Sequence, residues 1–457
     1  MEPVAVATVV LLGTLDTKGR EYEFLGGLVR AAGAETLLID AGVVGDPRTT
    51  PDISHDEVAA AAGESLAGLA AAGDRGAAVA AMARGAGAIL ARLHAEGRLH
   101  GVLGMGGSGG TSLVSQATRA LPLGVPKLIV STVASGNTRA YVGASDLTLM
   151  YSVVDIAGVN SVSERILGNA AAAAAGMARH YAAFRPTAGG RPCLGATMFG
   201  VTTPCVTEAR RQLEEHGYEV LVFHATGVGG MSMEGLMRSG QITGVLDVTT
   251  AELADELAGG VLAAGPDRLE VAGELGLPQV VTLGGLDIVN FGPMETVPER
   301  YRRRNLYRHN PAVTLMRTTP EESARLGRII AAKLNRAAGP LTLFIPRRGF
   351  SAMGAEGGVF RDPEADEVLI RELRKTIDPA VEVVEMDTDI NDPAFAHAMA
   401  RRLHEHYQAW AARRRDTTAA AGKEERAEAG AEAAGPASCP HEIVTENAER
   451  LEAVVRP

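Results

Sequence analysis

The sequence predicts an α/β protein with two doubly wound, Rossmann- or flavodoxin-like parallel-sheet domains that face each other across a cleft. In residues 1–185, short apolar runs alternate with helical patterns, which is typical of parallel strands covered on both faces. A stretch rich in Pro and Gly, 184–192, then separates this region from a second one, 191–411, which repeats the same order. Residues 412–457 are charged and of low complexity, so we expect a disordered tail with a short terminal helix.

The expected elements of the first domain follow the order that a doubly wound sheet requires. The expected strands are 4–12, 36–40, 101–104, 127–131 and 147–150. The expected helices are 18–32, 55–72, 76–96, 111–119 and 160–181. In the second domain the expected later elements are strands at 279–283, 341–345 and 380–386 and a last helix at 392–411.

An internal repeat connects the two domains. Residues 12–45 and 194–230 both run from a strand through a Gly-Thr turn, a helix, a helix-ending Gly and a second strand into a Gly-rich loop. This similarity is typical of a duplicated unit, and chance likeness between two βαβ folds is the alternative.

The composition of the chain argues against several classes of function. With a net charge of −11, the chain lacks the positive surface that nucleic acids or anionic membranes require. Cys193, Cys205 and Cys439 share no CxxC spacing, so we expect neither a disulfide framework nor a thiolate zinc site. No apolar run reaches the ~20 residues of a membrane span, and the start lacks a basic signal region. We therefore expect a cytoplasmic protein.

The strongest functional motif is Gly104-Met-Gly-Gly-Ser-Gly-Gly-Thr111, which follows an apolar strand and opens a helix. Consecutive Gly residues let backbone N–H groups turn toward an anion, and the helix N-terminus adds its dipole. We expect phosphate to be bound by Gly106, Gly107, Ser108, Gly109, Gly110 and Thr111. The motif is neither a Walker A loop nor a strict GxGxxG fingerprint, and a tight turn with nothing bound is the alternative.

Two further loops follow strands of the same sheet, where the ligand crevice of such folds lies. In the first, Thr14 and Thr17 offer hydroxyls, Lys18 offers a charge, and Asp16 is either a helix cap or an indirect Mg²⁺ ligand. In the second, we expect the site to be closed by Ser131, Ser135 and Gly136. Arg75 could bind phosphate through its fork of N–H groups or could be a solvated surface residue.

At these loops the chain resembles a known family. GTLDTK, DRG, GMGGSGGTSLVSQATRALPLGVPKLIVSTVASGNT and YSVVDIAGVNSVSERILGNA are similar to segments of the Tm-1-like ATP-binding family, and the resemblance covers roughly residues 4–408. It implies two α/β domains, a bound ATP and dimerisation, but no defined reaction. It also implies nucleotide contacts at Gly13, Thr14, Asp16, Arg75 and Gly107 to Gly110.

In the second domain, polar residues on loops are candidates for a second ligand. The candidate substrate-binding residues are Asp287, Asn290, His309, Asn310 and Ser351, and the candidate catalytic residues are Lys18, Asp287 and His309. The chain has Gly354 where relatives often carry Asp, which puts a carboxylate there in doubt. Met231, Met233 and Met237 are expected to fill the core or an interface.

Together these features predict a cytoplasmic nucleotide-binding protein, and the resemblance implies that the nucleotide is ATP, which Mg²⁺ could accompany. Whether the protein is an enzyme stays open. If it is one, the reaction to test first is ATP-dependent activation of a small anionic or sugar-like metabolite bound between the domains. The alternative is a non-catalytic sensor or protein-interaction module. An NAD-dependent oxidoreductase is disfavoured because the GxGxxG loop and its acidic partner are missing after the first strand. We expect a homodimer or higher homo-oligomer, with no nucleic-acid or membrane partner.

Overall fold

A computed structural model describes residues 6–185 and 190–432 of the chain. The chain divides into two compact units, Met1–His406 and Tyr407–Pro457. The first unit contains two parallel sheets of five and six strands with helices between the strands, which confirms the predicted two-domain α/β fold.

The first domain is built on a five-stranded parallel sheet in the order β2-β1-β3-β4-β5. Its strands are β1 Thr8–Gly13, β2 Glu35–Asp40, β3 Gly101–Gly106, β4 Lys127–Ser131 and β5 Thr148–Tyr151. Its helices are α1 Leu15–Ala31, α2 His55–Ala61, α3 Leu66–Ala72, α4 Arg75–Ala95, α5 Ser108–Thr118, α6 Arg139–Val142 and α7 Ser161–Ala183. The single helix expected at 55–72 is two helices, because the chain turns at Gly63 (φ 75°) and Ser65 caps a new helix.

Alternating side chains of β1 enter two separate apolar clusters. Val10 and Leu12 lie in the cluster that includes residues of α4, whereas Val9 and Leu11 lie in the cluster that includes residues of α7. Successive strand residues point to opposite faces, so helices cover both faces of this sheet.

The second domain is built on a six-stranded parallel sheet in the order β14-β13-β9-β8-β6-β7. The strands of this sheet are β6 Cys193–Met198, β7 Glu219–His224, β8 Val245–Thr249, β9 Gln279–Gly284, β13 Leu341–Pro346 and β14 Glu382–Met386. Three further strands of the domain form a separate sheet: β10 Ile288–Phe291, β11 Leu306–Asn310 and β12 Val313–Arg317. Its helices are α8 Thr203–Glu215, α9 Val228–Arg238, α10 Glu252–Ala258, α11 Val271–Glu274, α12 Pro320–Leu334, α13 Pro363–Thr376 and α14 Pro393–Glu432.

The two sheets share one strand order. Beginning at its second strand, each sheet runs second, first, third, fourth, and then its later strands. The second domain adds a small antiparallel sheet, β10-β12-β11, between β9 and β13. The sequence did not indicate this sheet, because Gly and Pro dominate the segments that flank β10.

The carboxyl-terminal limit of the second domain stays a prediction. Helix α14 continues to Glu432, past the expected end at 411. The middle of the predicted linker (186–189), Cys439 and the predicted terminal helix lie outside the described residues. Among the described residues, one helix, α4, is long and apolar enough to cross a membrane, but 56% of its apolar window is buried in the fold. Core helices pass the same test, so this is weak evidence for a membrane span.

Candidate functional site

A cleft of about 420 Å³ lies in the first domain where the loops after β1, β2 and β3 meet. These loops and the first turns of α1 and α5 contribute Thr14, Asp16, Thr17, Ala41, Val43, Val44, Gly109 and Gly110. Helices α3 to α5 and their connection contribute Leu69, Ala70, Gly73, Asp74, Arg75, Ala78, Val79 and Leu113. The strand order reverses between β1 and β3, and ligands of open α/β sheets bind in the crevice at such a reversal.

The Gly-rich loop forms a tight turn between β3 and α5. A Cβ atom on Gly106 would lie 3.0 Å from the Gly110 Cα, and one on Gly110 would lie 3.1 Å from the Met105 carbonyl oxygen. The N-cap residue, Gly107, has no side chain to satisfy the first N–H groups of α5. Because Gly109 and Gly110 line the cleft, the first turn of α5 offers backbone donors there.

The Arg75 side chain lies beside this turn. Its Nη2 atom is 3.5 Å from the position of a Cβ atom on Gly109. Asp74 caps α4 by accepting a hydrogen bond from the Ala77 N–H at 3.0 Å, and this fixes the start of the helix. Arg75 itself is exposed and makes no hydrogen bond or ion pair with any residue that the structure describes. Its guanidinium is therefore available to an anion in the cleft.

The loop after β1 brings hydroxyls and a carboxylate to the cleft. The Thr14 and Thr17 hydroxyl oxygens lie 2.9 Å apart. Asp16 is not the helix cap, because α1 begins at Leu15 and Thr14 occupies the N-cap position. Its Oδ2 accepts a hydrogen bond from the Val44 N–H at 3.3 Å, while its buried Oδ1 has no partner among the described residues. This oxygen is free to accept a hydrogen bond from a ligand.

Lys18 and Gly13 serve the fold rather than line the cleft. The Lys18 ammonium donates a hydrogen bond to the Ile156 carbonyl oxygen, which joins α1 to the segment before α7. A Cβ atom on Gly13 would lie 2.2 Å from the Tyr22 ring. The Tyr22 hydroxyl in turn donates to the Leu12 carbonyl at 2.6 Å. Gly13 is therefore needed to make room for a buried tyrosine.

Other predicted phosphate ligands are not among the residues that line the cleft. The Thr111 and Ser131 hydroxyls are fully buried and lie 2.7 Å from each other, so they join α5 to the end of β4. Ser135 and Gly136 are exposed on the loop after β4. Gly106, Gly107 and Ser108 shape or begin the turn without lining the cleft.

In the second domain, Asp287 and Ser351 form a buried pair. The Ser351 hydroxyl donates to Asp287 Oδ2 at 2.5 Å and accepts from the Gly354 N–H at 2.9 Å. Burial raises the pKa of Asp287. A Cβ atom on Gly354 would lie 2.4 Å from Asp287 Oδ2, so a side chain at this position would require Asp287 to shift.

The remaining predicted substrate residues lie apart from this pair. Asn290 is buried, and its Nδ2 donates to Asp255 Oδ2 at 2.8 Å. His309 and Asn310 are exposed on β11, and Asn310 Oδ1 accepts from the Ala312 N–H at 2.8 Å. Within the described part of the chain, no group of three or more His, Cys, Asp or Glu residues could hold a metal ion.

The second domain supplies an internal comparison for the Gly-rich loop. Glu252 Oε1 accepts hydrogen bonds from the Gly227 N–H at 2.7 Å and the Gly230 N–H at 3.1 Å. A carboxylate of the protein thus occupies that Gly-rich turn. No described carboxylate is hydrogen-bonded to the N–H groups of 107–110. The first-domain turn is the one left open for an external anion.

Sequence reasoning missed the apolar wall of the cleft. Ala41, Val43 and Val44 follow β2, and Leu69 comes from the short helix α3. The Gly-rich segment after the second strand was visible in the internal repeat, and the rule that strand-end loops line the crevice could have included it. Leu69 carries no such signal, because its place depends on how α3 folds over the sheet.

Comparison with known proteins places the chain in a family. The model of the Uncharacterised protein family (UPF0261) N-terminal domain matches residues 7–183, and that of its C-terminal domain matches residues 191–407. The chain belongs to the UPF0261 family. A UPF0261 protein of Clostridium tetani is 53% identical over 396 residues, which are 86% of this chain and 98% of that protein. The ToMV resistance protein Tm-1(GCR237) of Solanum lycopersicum is 47% identical over 330 residues, 71% of this chain and 44% of the plant protein.

Solved structures are similar to this UPF0261 chain only at low identity. A UDP-N-acetylglucosamine 2-epimerase is 11% identical, with 88% of this chain and 97% of that chain covered and a TM-score of 0.23. The enzyme of the same name from Rickettsia bellii is 10% identical, with 89% and 96% covered and a TM-score of 0.22.

Proposed function

We propose that this protein binds a nucleotide, ATP, in the cleft of the first domain. The observation that carries the proposal is the meeting of an apolar wall and a Gly-rich helix start in one cleft. Its volume, about 420 Å³, lies in the range of ~300–1,000 Å³ that is typical of small-molecule sites. The resemblance of GTLDTK, DRG and the Gly-rich loop to segments of the Tm-1-like ATP-binding family supports the assignment to ATP.

The phosphates would lie at the polar end of the cleft. Gly109 and Gly110 offer backbone N–H groups from the first turn of α5, and Arg75 offers a guanidinium with no internal partner among the described residues. In a chain of net charge −11, attraction for a polyanion has to be local, from helix N–H groups and single cations.

The base would lie against the aliphatic end. Val44 is 92% exposed and lines the cleft, together with Val43, Leu69 and Val79. A base would remove this apolar surface from water. Asp16 Oδ1 would accept a hydrogen bond from a ribose hydroxyl or face the Mg²⁺ that accompanies ATP.

The Gly109→Val variant tests this site. The added side chain would enter the cleft beside Arg75 without meeting the backbone of another element, so the fold should persist while the phosphates lose their place. We expect Mg²⁺-ATP to raise the Tm of the native protein by several degrees and that of Gly109→Val by less than one degree.

Lys18→Met is the matched control for this experiment. It removes a cation near the cleft whose ammonium is bound to the Ile156 carbonyl, so its Tm should fall while its response to ATP persists. An equal response of Gly109→Val and the native protein would place the nucleotide elsewhere. If no nucleotide raises the native Tm, the proposal fails.

Two alternative functions, an enzyme and a sensor, differ in whether the protein hydrolyses or transfers the bound ATP. An enzyme would use ATP to activate a small acid, by positioning and charge neutralisation. A non-catalytic sensor is the second candidate. The observation in its favour is that the three candidate catalytic residues, Lys18, Asp287 and His309, do not line the cleft. In the same samples, ATP turnover that rises with an added metabolite would identify the enzyme.

We also propose a cytoplasmic homodimer. Tyr151, Val153, Val159 and Val162 are each between 41% and 60% exposed at or beyond the edge strand β5. Exposed apolar groups beside an unpaired strand edge are typical of a surface that a second subunit covers. Light scattering should give twice the chain mass of 47.5 kDa, and Val153→Asp should shift the protein toward the monomer mass.

A further inference from the structure

A second groove, of about 530 Å³, lies between the two α/β domains and shares no lining residue with the nucleotide cleft. One wall comes from the first domain, from segments 119–123 and 143–145 that follow α5 and α6. The other wall is formed by α9 of the second domain and Ser239, which follows it. Among the described residues that line it, none is acidic.

Each domain contributes one arginine to this groove. The Arg119 Nη2 donates to the Ala140 carbonyl at 2.8 Å and more weakly to that of Tyr141, which leaves its other N–H groups without a described partner. Arg238, at the end of α9, makes no hydrogen bond or ion pair within the described residues. Two guanidinium groups in an acidic protein thus line one groove, and neither forms an ion pair within the described residues.

The carboxylates closest in sequence are already bound elsewhere. Asp146, next to the groove residue Ser145, accepts from the Lys127 ammonium at 2.6 Å and from the Gly124 N–H at 2.6 Å. Glu234, one turn before Arg238, accepts from the Leu269 N–H at 2.8 Å. Neither acid forms an ion pair with Arg119 or Arg238, although Glu234 and Arg238 attract each other at longer range.

Two further side chains in the groove, one polar and one apolar, offer contacts to a ligand. The Ser145 hydroxyl oxygen is buried and has no hydrogen bond to a described residue. Met231 is 43% exposed and lines the groove, whereas Met233 and Met237 on the same helix are buried. A ligand with a hydrogen-bonding group and an apolar body would satisfy the first and cover the second.

We propose that this groove binds an organic anion, with a carboxylate or phosphate group held by Arg119 and Arg238 and an apolar body against Met231. The proposal rests on the groove alone and does not require a nucleotide in the first-domain cleft. A ligand that contacts both walls stabilises the arrangement of the two domains in which the groove is formed, and so couples occupancy to their relative position.

Calorimetric titration of the full chain with simple probes tests the inference. Phenyl phosphate and benzoate each combine an anion with an apolar ring, phenol has the ring alone, and inorganic phosphate has the anion alone. We expect at least one of the first two to bind roughly tenfold more tightly than phenol and inorganic phosphate. Which of the two binds better identifies the anionic group. Equal affinity for all four probes overturns the proposal.

Variants then locate the binding. Arg238→Gln breaks no hydrogen bond among the described residues, so the protein should fold and lose roughly tenfold in affinity. Arg119→Gln should lose a similar factor, and the double variant should bind the anionic probe no better than phenol. Arg92→Gln, an exposed substitution on α4, is the matched control and should change nothing. If Gly109→Val loses the probe while Arg238→Gln retains it, the probe lies in the nucleotide cleft and the groove proposal is wrong.

Discussion

Replacing Arg268 with methionine is expected to destabilise the protein by about 3–5 kcal/mol, measured from the shift in its urea unfolding curve at pH 7. The Arg268 side chain is 1% exposed and holds two buried carboxylates. Its Nη1 and Nη2 donate to Asp247 at 2.6 and 2.7 Å, and its Nε donates to Glu252 at 2.6 Å. Methionine has a similar volume and removes only the charge and the donors.

The expected loss of stability arises because the carboxylates of Asp247 and Glu252 remain buried after their cation is removed. Without Arg268, Asp247 keeps the Thr197 hydroxyl at 2.7 Å and Glu252 keeps the Gly227 and Gly230 N–H groups, but no described cation remains in contact with them. Burial works to lower the pKa of Arg268, and the attraction of Asp247 and Glu252 outweighs it, so the pKa of this guanidinium is raised. Burial also raises the pKa of the neighbouring Glu234.

Two further variants separate the lost ion pair from a general loss of packing. Arg328→Met removes an exposed ion pair with Glu372 at 2.9 Å and should cost less than about 1 kcal/mol. Adding Asp247→Asn and Glu252→Gln to Arg268→Met removes the unpaired charges and should restore a large part of the stability. A single Arg268→Met change that costs no more than Arg328→Met contradicts the importance of this cluster.

The sequence predicted the parts of the fold whose cause is local. β1 and β4 are apolar runs between turn residues, and the Gly-rich segment at the start of α5 indicates a tight turn by its composition alone. The sequence carries a signal for the break between α2 and α3, because Gly63 is followed by Ser65. The Ala-rich helical pattern on both sides nevertheless led to the prediction of a single helix. Local patterns therefore predict elements better than the limits between them.

The sequence predicted six of the residues that line the cleft, namely Thr14, Asp16, Thr17, Arg75, Gly109 and Gly110. Gly109 and Gly110 line the cleft because their loop follows a central strand, which a sequence shows. The partner of Lys18 lies 138 residues away, and that of Ser351 lies 64 residues away. Whether a polar side chain is free for a ligand or bound within the protein depends on such distant partners, and no local pattern reports them.

Asp255 is a buried carboxylate at the junction of α10 and the small antiparallel sheet. Its Oδ1 accepts from the Asn290 N–H at 3.0 Å and the Leu262 N–H at 3.2 Å, and its Oδ2 accepts from Asn290 Nδ2 at 2.8 Å. Burial raises its pKa to about 7 from the ordinary value of 3.8, with a smaller contribution from the charge of Glu252, while the Asn290 and Leu262 hydrogen bonds oppose the rise. Segment 259–262, which Asp255 holds, meets the other domain where the Arg139 Nη1 donates to the Val261 carbonyl at 3.0 Å.

This raised pKa makes the stability of the protein depend on pH in a defined direction. A group whose pKa is higher in the folded state stabilises the fold fully below its unfolded pKa, near 3.8, and this contribution is lost as the pH rises through about 7. The slope between these values is about 1.4 kcal/mol per pH unit, because the folded protein retains a proton that the unfolded chain releases. Deprotonation at higher pH then leaves a charge in a buried position.

The Asp255→Asn variant should therefore gain on the native protein as the pH rises. An amide resembles the protonated carboxyl, and the Asn290 Oδ1, which is buried without a described partner, can accept from the new Nδ2 if the Asn290 amide turns over. Between pH 5 and pH 8 we expect the difference in the free energy of unfolding to move by about 3 kcal/mol in favour of the variant. Urea unfolding curves at half-unit pH intervals measure it, and Asp46→Asn on an exposed loop should show no such trend. A constant difference across this range would mean that Asp255 is already ionised in the folded protein at pH 5, stabilised by its three N–H donors.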